Sequence, residues 1–240
     1  MAGSDTAPGL LPEGYIYPKE QRAVRDLLRK HSQLVRHRTA NLLSIQSQIT
    51  RHTGSSISAN RIKQLNVEKL EQILTNADVV LATNANVCVM RCLTAEITAL
   101  EKVVRNRVKL SPAFQSLLTV RGIGQILALT IMLEAGDIAR FATVGNFASY
   151  CRCVRSEKLS NGKRKGSGNT KNGNKYLAWA FVEAANFAVR FDPSIRRFYQ
   201  RKKSKTHGVV AIKAVAHKLA RACYYILRDQ VPFDVTKAFA

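Results

Sequence analysis

From Lys19 to about Arg51, residues suited to a buried seam return every three or four positions: Val24, Leu27, Leu28, His31, Leu34, Val35, Arg38, Leu42, Ile45 and Ile49. A period near 3.5 is that of a coiled-coil stripe. Arg22, Arg25, Arg29, Lys30 and Arg36 fill the other faces. A second stripe, Val89, Leu93, Ile97, Leu100, Val104 and Val108, marks a helix from about Ala85 to Leu110. Two such stripes predict a helical hairpin that closes on itself or dimerises, and an ordinary intradomain helix pair gives the same pattern. Between them, Thr53-Gly54-Ser55-Ser56 breaks the first helix. Asn60 to about Leu81 reads as one or two short helices with Leu65, Leu70, Ile73 and Leu74 inward.

The rest of the chain divides on composition. Residues 1–18 are rich in Gly, Pro and small polar residues and read as a flexible lead-in. Residues 19–110 form the coiled-coil or dimerisation segment. Ser111-Pro112 stops the second long helix, and 111–240 read as a compact helical domain. Helices are expected at Lys175–Arg190, with Asn174 as N-cap, and around Gly208–Asp229. The fold class is mainly α.

Charge narrows the partners. Thirty-eight Lys and Arg face sixteen Asp and Glu, a formal net charge of +22. Such a field attracts polyanions, and DNA or RNA binding releases condensed counterions. A packing protein of ribosome or chromatin would share this balance. No basic amphipathic helix with a Trp/Phe face argues for a membrane surface, and no apolar run reaches a membrane span. The N-terminus lacks a secretion signal. A cytoplasmic protein, nucleoid-associated when bound, is expected. The five cysteines are odd in number, and Cys88/Cys92 and Cys151/Cys153 lack the C-x-x-C spacing of a zinc site. They read as reduced, partly buried thiols. Asp26, Asp78, Glu134, Asp137 and Glu183 form no convincing metal-binding set. Glu134 and Asp137 suit a core-edge or capping role.

Two segments carry candidate chemistry. Val120-Arg121-Gly122-Ile123-Gly124 lies between two apolar helical runs. Glycines in such a turn let backbone N–H groups approach a phosphate, as in a helix-hairpin-helix. A Gly-rich helix–helix turn looks the same. The stretch from Leu159 to Gly168 is polar, Gly-rich and basic, with Lys171 and Lys175 continuing the charge. It reads as a loop around phosphates, through Gly162, Lys163, Arg164 and Lys165. A serine there could attack a phosphodiester beside cations. Trp179, Phe181 and Phe187 read as core, with base-stacking platforms as the alternative. The run Arg196–Lys203 mixes aromatics and cations, as single-strand binders do, and an amphipathic helix with a solvated basic face would look alike.

The blocks TVRGIG…EAGDIARF, SYCRCV…SNGKRKGSG…KNGNKYLAWAFVEAA and AHKLARACYYILRD, in this order, resemble the C-terminal domain of the insertion-sequence "one-ten" family of transposases. The resemblance runs from about Gly14 to the C-terminus. It implies transposition of DNA directed by a structured bridge RNA, and a homo-oligomer. That family places a catalytic serine in S-S-G-G-K or S-A-G-K patterns. Ser160 in Ser160-Asn161-Gly162-Lys163 matches them and would attack a DNA phosphate to give a phosphoserine intermediate. Arg121 stands where the family's turn usually has proline. After Tyr150 the family often reads Gly-Leu-Val-Pro, where this chain has Arg152-Cys153-Val154-Arg155, although a branch with Cys-Arg-Leu-Val exists. The resemblance also implies an N-terminal RuvC-like domain with four metal-binding acids. That domain, and the Mg²⁺ it holds, is expected to lie outside this chain, which would itself carry no cofactor. The alternative is a non-catalytic basic nucleic-acid-binding module.

Overall fold

The computed structural model describes residues 15–108, 111–154, 157–167 and 171–239. The expected lead-in falls largely in 1–14, outside the described residues, as do the ends of several loops discussed below. The described chain is mainly α, with one two-stranded sheet.

Helix α1 (Lys19–Thr53) and helix α4 (Ala77–Val108) form an antiparallel hairpin within one chain. The pairing is fixed by side chains across the seam. Thr83 donates to Gln48 at 2.7 Å, Asn86 to Ser44 at 3.3 Å, and His31 Nε2 lies 2.9 Å from Glu101. Helix α1 ends where Gly54 takes the left-handed conformation (φ 70) and returns its N–H to the Thr50 carbonyl at 2.9 Å. Two short helices, α2 (Ala59–Ile62) and α3 (Val67–Ile73), close the tip. Ser58 and Asn66 cap them by accepting N–H bonds from Arg61 and Lys69.

Two details depart from the pattern read in the sequence. Helix α4 begins at Ala77, not near Ala85, because the Asn76 side chain caps Asp78 and Val79 and starts the helix early. Its buried stripe begins with Val80, Thr83, Val87 and Met90, and Val89 is 47% exposed. The buried threonine carries the seam where an apolar residue was sought.

The hairpin holds two separate cores. Ile45, Ile49, Ile57, Ile62, Leu65, Leu70, Val87 and Met90 pack at its tip. Leu28 and Val104, near its base, belong instead to the core of the remaining chain. Between them on the two long helices only His31 and Ile97 are buried.

That main core is built around α6 (Gln125–Ala135), buried from Leu127 to Ala135 apart from the partly exposed Met132. A helix apolar on all sides belongs at the centre. Around it lie α5 (Pro112–Leu118), α7 (Val144–Tyr150), α8 (Lys175–Phe191), α9 (Pro193–Lys203), α10 (Gly208–Asp229) and α11 (Val235–Phe239). Helix α8 presents Ala180, Ala184, Ala185 and Ala188 to this core, all fully buried. Their small size lets the α5–α6 turn sit directly on α8. Gly122 has φ +92, and a Cβ there would lie 2.5 Å from the Ala184 carbonyl oxygen and 2.6 Å from the Ala188 nitrogen. Both atoms are backbone and cannot move aside. Gly124 meets nothing within 4 Å. Gly122→Ala should therefore cost at least about 2 kcal/mol through overpacking and backbone strain. Gly124→Ala should stay within about 0.5 kcal/mol, as surface changes usually do; urea denaturation of the two variants measures the contrast.

Candidate nucleic-acid interface

The basic, glycine-rich stretch is a β-hairpin rather than an irregular loop. Strand β1 (Glu157–Ser160) pairs antiparallel with β2 (Lys163–Ser167), and Ser160 is opposite Lys163. Asn161 (φ 50) and Gly162 (φ 70) make the two-residue turn. Both take positive φ, which suits the right-handed twist of the strands. The register slips by one residue after the Leu159–Arg164 pair, and Gly166 (φ 152) then faces Lys158. Lys165 is the extra residue of this bulge. Ser160, Asn161, Gly162, Lys163 and Lys165 are exposed. Residues opposite each other on neighbouring strands share a face, with Cβ atoms about 5 Å apart, so the Ser160 hydroxyl and the Lys163 ammonium occupy one face of the tip.

The chain on the two sides of the hairpin segment, its base, is tied together. Arg152, in the left-handed region (φ 55), donates through Nε and Nη2 to the Gly173 carbonyl at 3.2 and 2.8 Å, and also to the Lys171 carbonyl. Gly173 (φ +89) comes so close to α7 that a Cβ would lie 2.5 Å from the Tyr150 carbonyl oxygen. The next residue, Asn174, donates its N–H to that same oxygen at 2.7 Å. Its side chain caps α8 by accepting from the Tyr176 and Leu177 amides. Lys171 and Lys175 are exposed at this base, and the Lys175 ammonium lies 5.2 Å from the Tyr176 ring centroid.

Beneath the base is Glu134, 3% exposed. Arg29 of α1 donates to both its oxygens, at 2.6 and 2.8 Å, and Asn174 Nδ2 donates to it at 2.7 Å. The hydrogen bond to Glu134 raises the Arg29 pKa further. Tyr17, just before α1, donates to the Leu133 carbonyl at 2.6 Å, and burial pushes its phenol up to about 12. Glu134 thus has the core-edge role expected of it, and Asp137 caps the following 3₁₀ turn by accepting from Ala139 at 2.9 Å. Sequence reasoning did not foresee that Arg29, Arg152 and Asn174 tie together the elements that flank the candidate loop in the chain. Each partner lies at least 19 residues away along the chain, except those in Asn174's own cap.

The other candidate is elsewhere. Arg121, Gly122 and Gly124 sit in the α5–α6 turn, against the C-terminal half of α8, while the hairpin base sits at its N-terminus. At 1.5 Å per residue along α8 the two places are about 15–18 Å apart. Arg121 and Gly124 are exposed, whereas Gly122 is occupied by packing on α8.

A third basic surface went unnoticed in the sequence. A cleft of about 900 Å³ lies between α10 and the C-terminal segment, lined by His217, Lys218, Arg221, Tyr225, Phe233 and Lys237 among others. Burial, with Arg221 and Lys218 nearby, holds the His217 imidazole below its usual range. The acids at its rim are engaged: Asp229 with Arg228 at 2.6 Å, and Asp234 with Thr236 and the Lys237 amide.

Two of the aromatics read as core are on the surface instead. Trp179 is 40% and Phe187 42% exposed, while Phe181 is fully buried. In the basic run of α9 the reverse holds, since Phe198 is buried and Tyr199 half-buried. Cys151, Cys153 and Cys223 sit in the core or its edge, and burial pushes their thiols up, that of Cys153 to about 12. Cys88 and Cys92 are exposed. Among the described residues no three His, Cys, Asp or Glu side chains are grouped to hold a metal ion, and no helix is long and apolar enough to cross a membrane.

The segment from α5 to α9, with the cationic hairpin between α7 and α8, falls on a match to a known family. Residues 114–200 match the family described as Transposase IS116/IS110/IS902. A probable family 20 transposase of Pseudomonas aeruginosa is 27% identical over 219 residues, covering 87% of this chain and 64% of its own length. An insertion element IS110 uncharacterized 43.6 kDa protein of Streptomyces coelicolor is 26% identical, covering 55% of this chain and 33% of its own length. The transposase for insertion sequence element IS1328 of Yersinia enterocolitica is 26% identical, covering 59% and 44%. The chain therefore spans about two thirds of the first relative and less than half of the other two.

Glu134→Ala would leave the Arg29 guanidinium and the Asn174 amide without their acceptor beneath the hairpin. A loss of about 3 kcal/mol is expected, read by thermal or urea denaturation. Hydrogen exchange at 157–167 should rise more than exchange at the tip of the α1–α4 hairpin.

Proposed function

We propose that this chain acts in insertion-sequence transposition as a DNA-binding recombinase domain whose nucleophile is Ser160. The observation that carries the reading is an exposed serine beside the turn of a cationic β-hairpin, in a segment flanked by the Arg152–Gly173 contact. Its hydroxyl shares a face with Lys163, while Lys165, Lys171 and Lys175 add positive charge along the hairpin and its base. In the reaction Oγ forms a bond to phosphorus and the bridging bond from phosphorus to one deoxyribose oxygen breaks. The hydroxyl gives up its proton and the departing sugar oxygen gains one. One phosphodiester replaces another, so the energy of the link is retained for rejoining. Cations beside the phosphate offset the charge that develops. The metal-dependent part of the reaction belongs to a RuvC-like domain outside the described residues. The described side chains provide no carboxylate set for Mg²⁺, so no step here runs through a metal.

The partners proposed are DNA, a structured bridge RNA and further copies of the chain. The net charge of +22 supports the first two. For the third, α4 turns a second stripe to solvent: Leu81, Ala85, Cys88, Cys92, Ala95, Ala99 and Val103. All are exposed, and all but the last fall at alternating steps of four and three, the spacing of a coiled-coil seam. If two copies meet there, mild oxidation should give a disulfide-linked dimer through Cys88 or Cys92. Replacing both by serine should abolish it on non-reducing gels, while a monomer throughout would exclude this seam.

The nucleophile is tested by incubating the chain, with an intact family member supplied, with labelled insertion-element DNA and quenching in denaturant. A covalent protein–DNA adduct on this chain is expected, absent in Ser160→Ala. An adduct that persists in Ser160→Ala would place the nucleophile on another residue, and the absence of any adduct from the unaltered protein would leave a non-catalytic binding module. DNA affinity should fall steeply with salt under either outcome.

A further inference from the structure

The outward face of α8 carries aromatic rings that the fold does not use. Phe187 and Phe191, one turn apart, are 42% and 61% exposed. Their rings are parallel, with 5° between planes and 6.4 Å between centroids. Trp179, 40% exposed, lies two turns earlier, about 12 Å along the axis. Apolar surface grouped in this way marks a contact.

Its surroundings state the chemistry of that contact. Arg190 is exposed beside Phe191. Arg196 folds back on the Val189 and Arg190 carbonyls, placing a cation at the end of the same helix. Exposed Arg197 follows, and exposed Arg121 projects from the turn that rests on Ala184 and Ala188. Of the nearby acids, Asp192 is consumed in capping α9, which leaves the half-buried Glu183 between Trp179 and Phe187. A patch of flat rings in an arginine frame is complementary to a polyanion that also carries flat rings. In a duplex the bases cover one another and offer only edges and phosphates. An unpaired base has a free π-face.

We propose that this face of α8 binds single-stranded DNA, with bases stacked on Phe187 and Phe191 and the backbone held by Arg190 and Arg121. The choice of DNA rests on the transposition reading above, since strand exchange unstacks bases. The site is distinct from the Ser160 hairpin, which stands at the other end of the helix.

The test is fluorescence anisotropy on the full chain carrying Ser160→Ala, so that binding is read without any cleavage. Labelled oligothymidylate is compared with a duplex and an oligouridylate of equal length. Phe187→Leu with Phe191→Leu keeps apolar area but removes the π-faces; Phe187→Tyr with Phe191→Tyr keeps them. The leucine pair should lose about tenfold or more in oligothymidylate affinity, with duplex affinity within about twofold and an unchanged salt slope. The tyrosine pair should bind like the parent. Trp179, the chain's one tryptophan, should be quenched by oligothymidylate in the parent protein. A leucine pair that binds oligothymidylate like the parent, an equal loss on duplex, or tighter binding of oligouridylate would each overturn the proposal. A missing Ser160 adduct with these results intact would overturn only the catalytic reading.

Discussion

A carboxylate taken almost wholly out of water is stable only if every lone pair it turns inward finds a donor. Glu134 meets that condition with three hydrogen bonds from two distant elements. Arg29 brings the base of the long hairpin onto α6, and Asn174 brings the start of α8. Because Asn174 also caps α8 and bonds to the end of α7, one buried carboxylate joins α1, α6, α8 and the end of α7. The base of the α1–α4 arm and the start of α8 therefore depend on one buried group.

The same economy governs the other end of α8. Four alanines make a surface shallow enough for a turn to rest on it, and Gly122 has no Cβ to obstruct the approach. The glycine pair in Arg121-Gly122-Ile123-Gly124 thus divides its duties. The first glycine is required by packing inside the molecule. The second is exposed, and with Arg121 it is free to meet something outside.

Periodicity made the long helices legible, because a stripe thirty residues long outweighs local exceptions. It also placed the C-terminal helices closely, where Asn174 and the apolar spacing agree. It erred where one residue type plays another's part. Thr83 occupies a seam position, which shifted the apparent stripe to Val89. Asn76 starts α4 eight residues early by capping it. The β-hairpin was hidden for a different reason: its strands are basic and lack the apolar alternation that usually reveals strands. Asn161-Gly162 was the available signal, since both residues accept positive φ. Aromatic residues on α8 were assigned to the core by type, and only their neighbours decide which of them are covered. The Glu134 cluster could not be read from the sequence, because nothing local announces that Arg29 and Asn174 meet one carboxylate.

The long arm has a waist. Its tip and its base each have an apolar core, and between them only His31 and Ile97 of the two helices are fully buried, with Leu34, Val35, Leu93 and Leu100 half-buried. From His31 to Gly54 the helix extends about 35 Å. A tilt of about 10° at the waist would then carry the tip roughly 6 Å sideways without opening either core. Bending there would cost fewer fully buried contacts than bending at either end, so the geometry of a lever is built into the arm while the domain behind it has a core of its own.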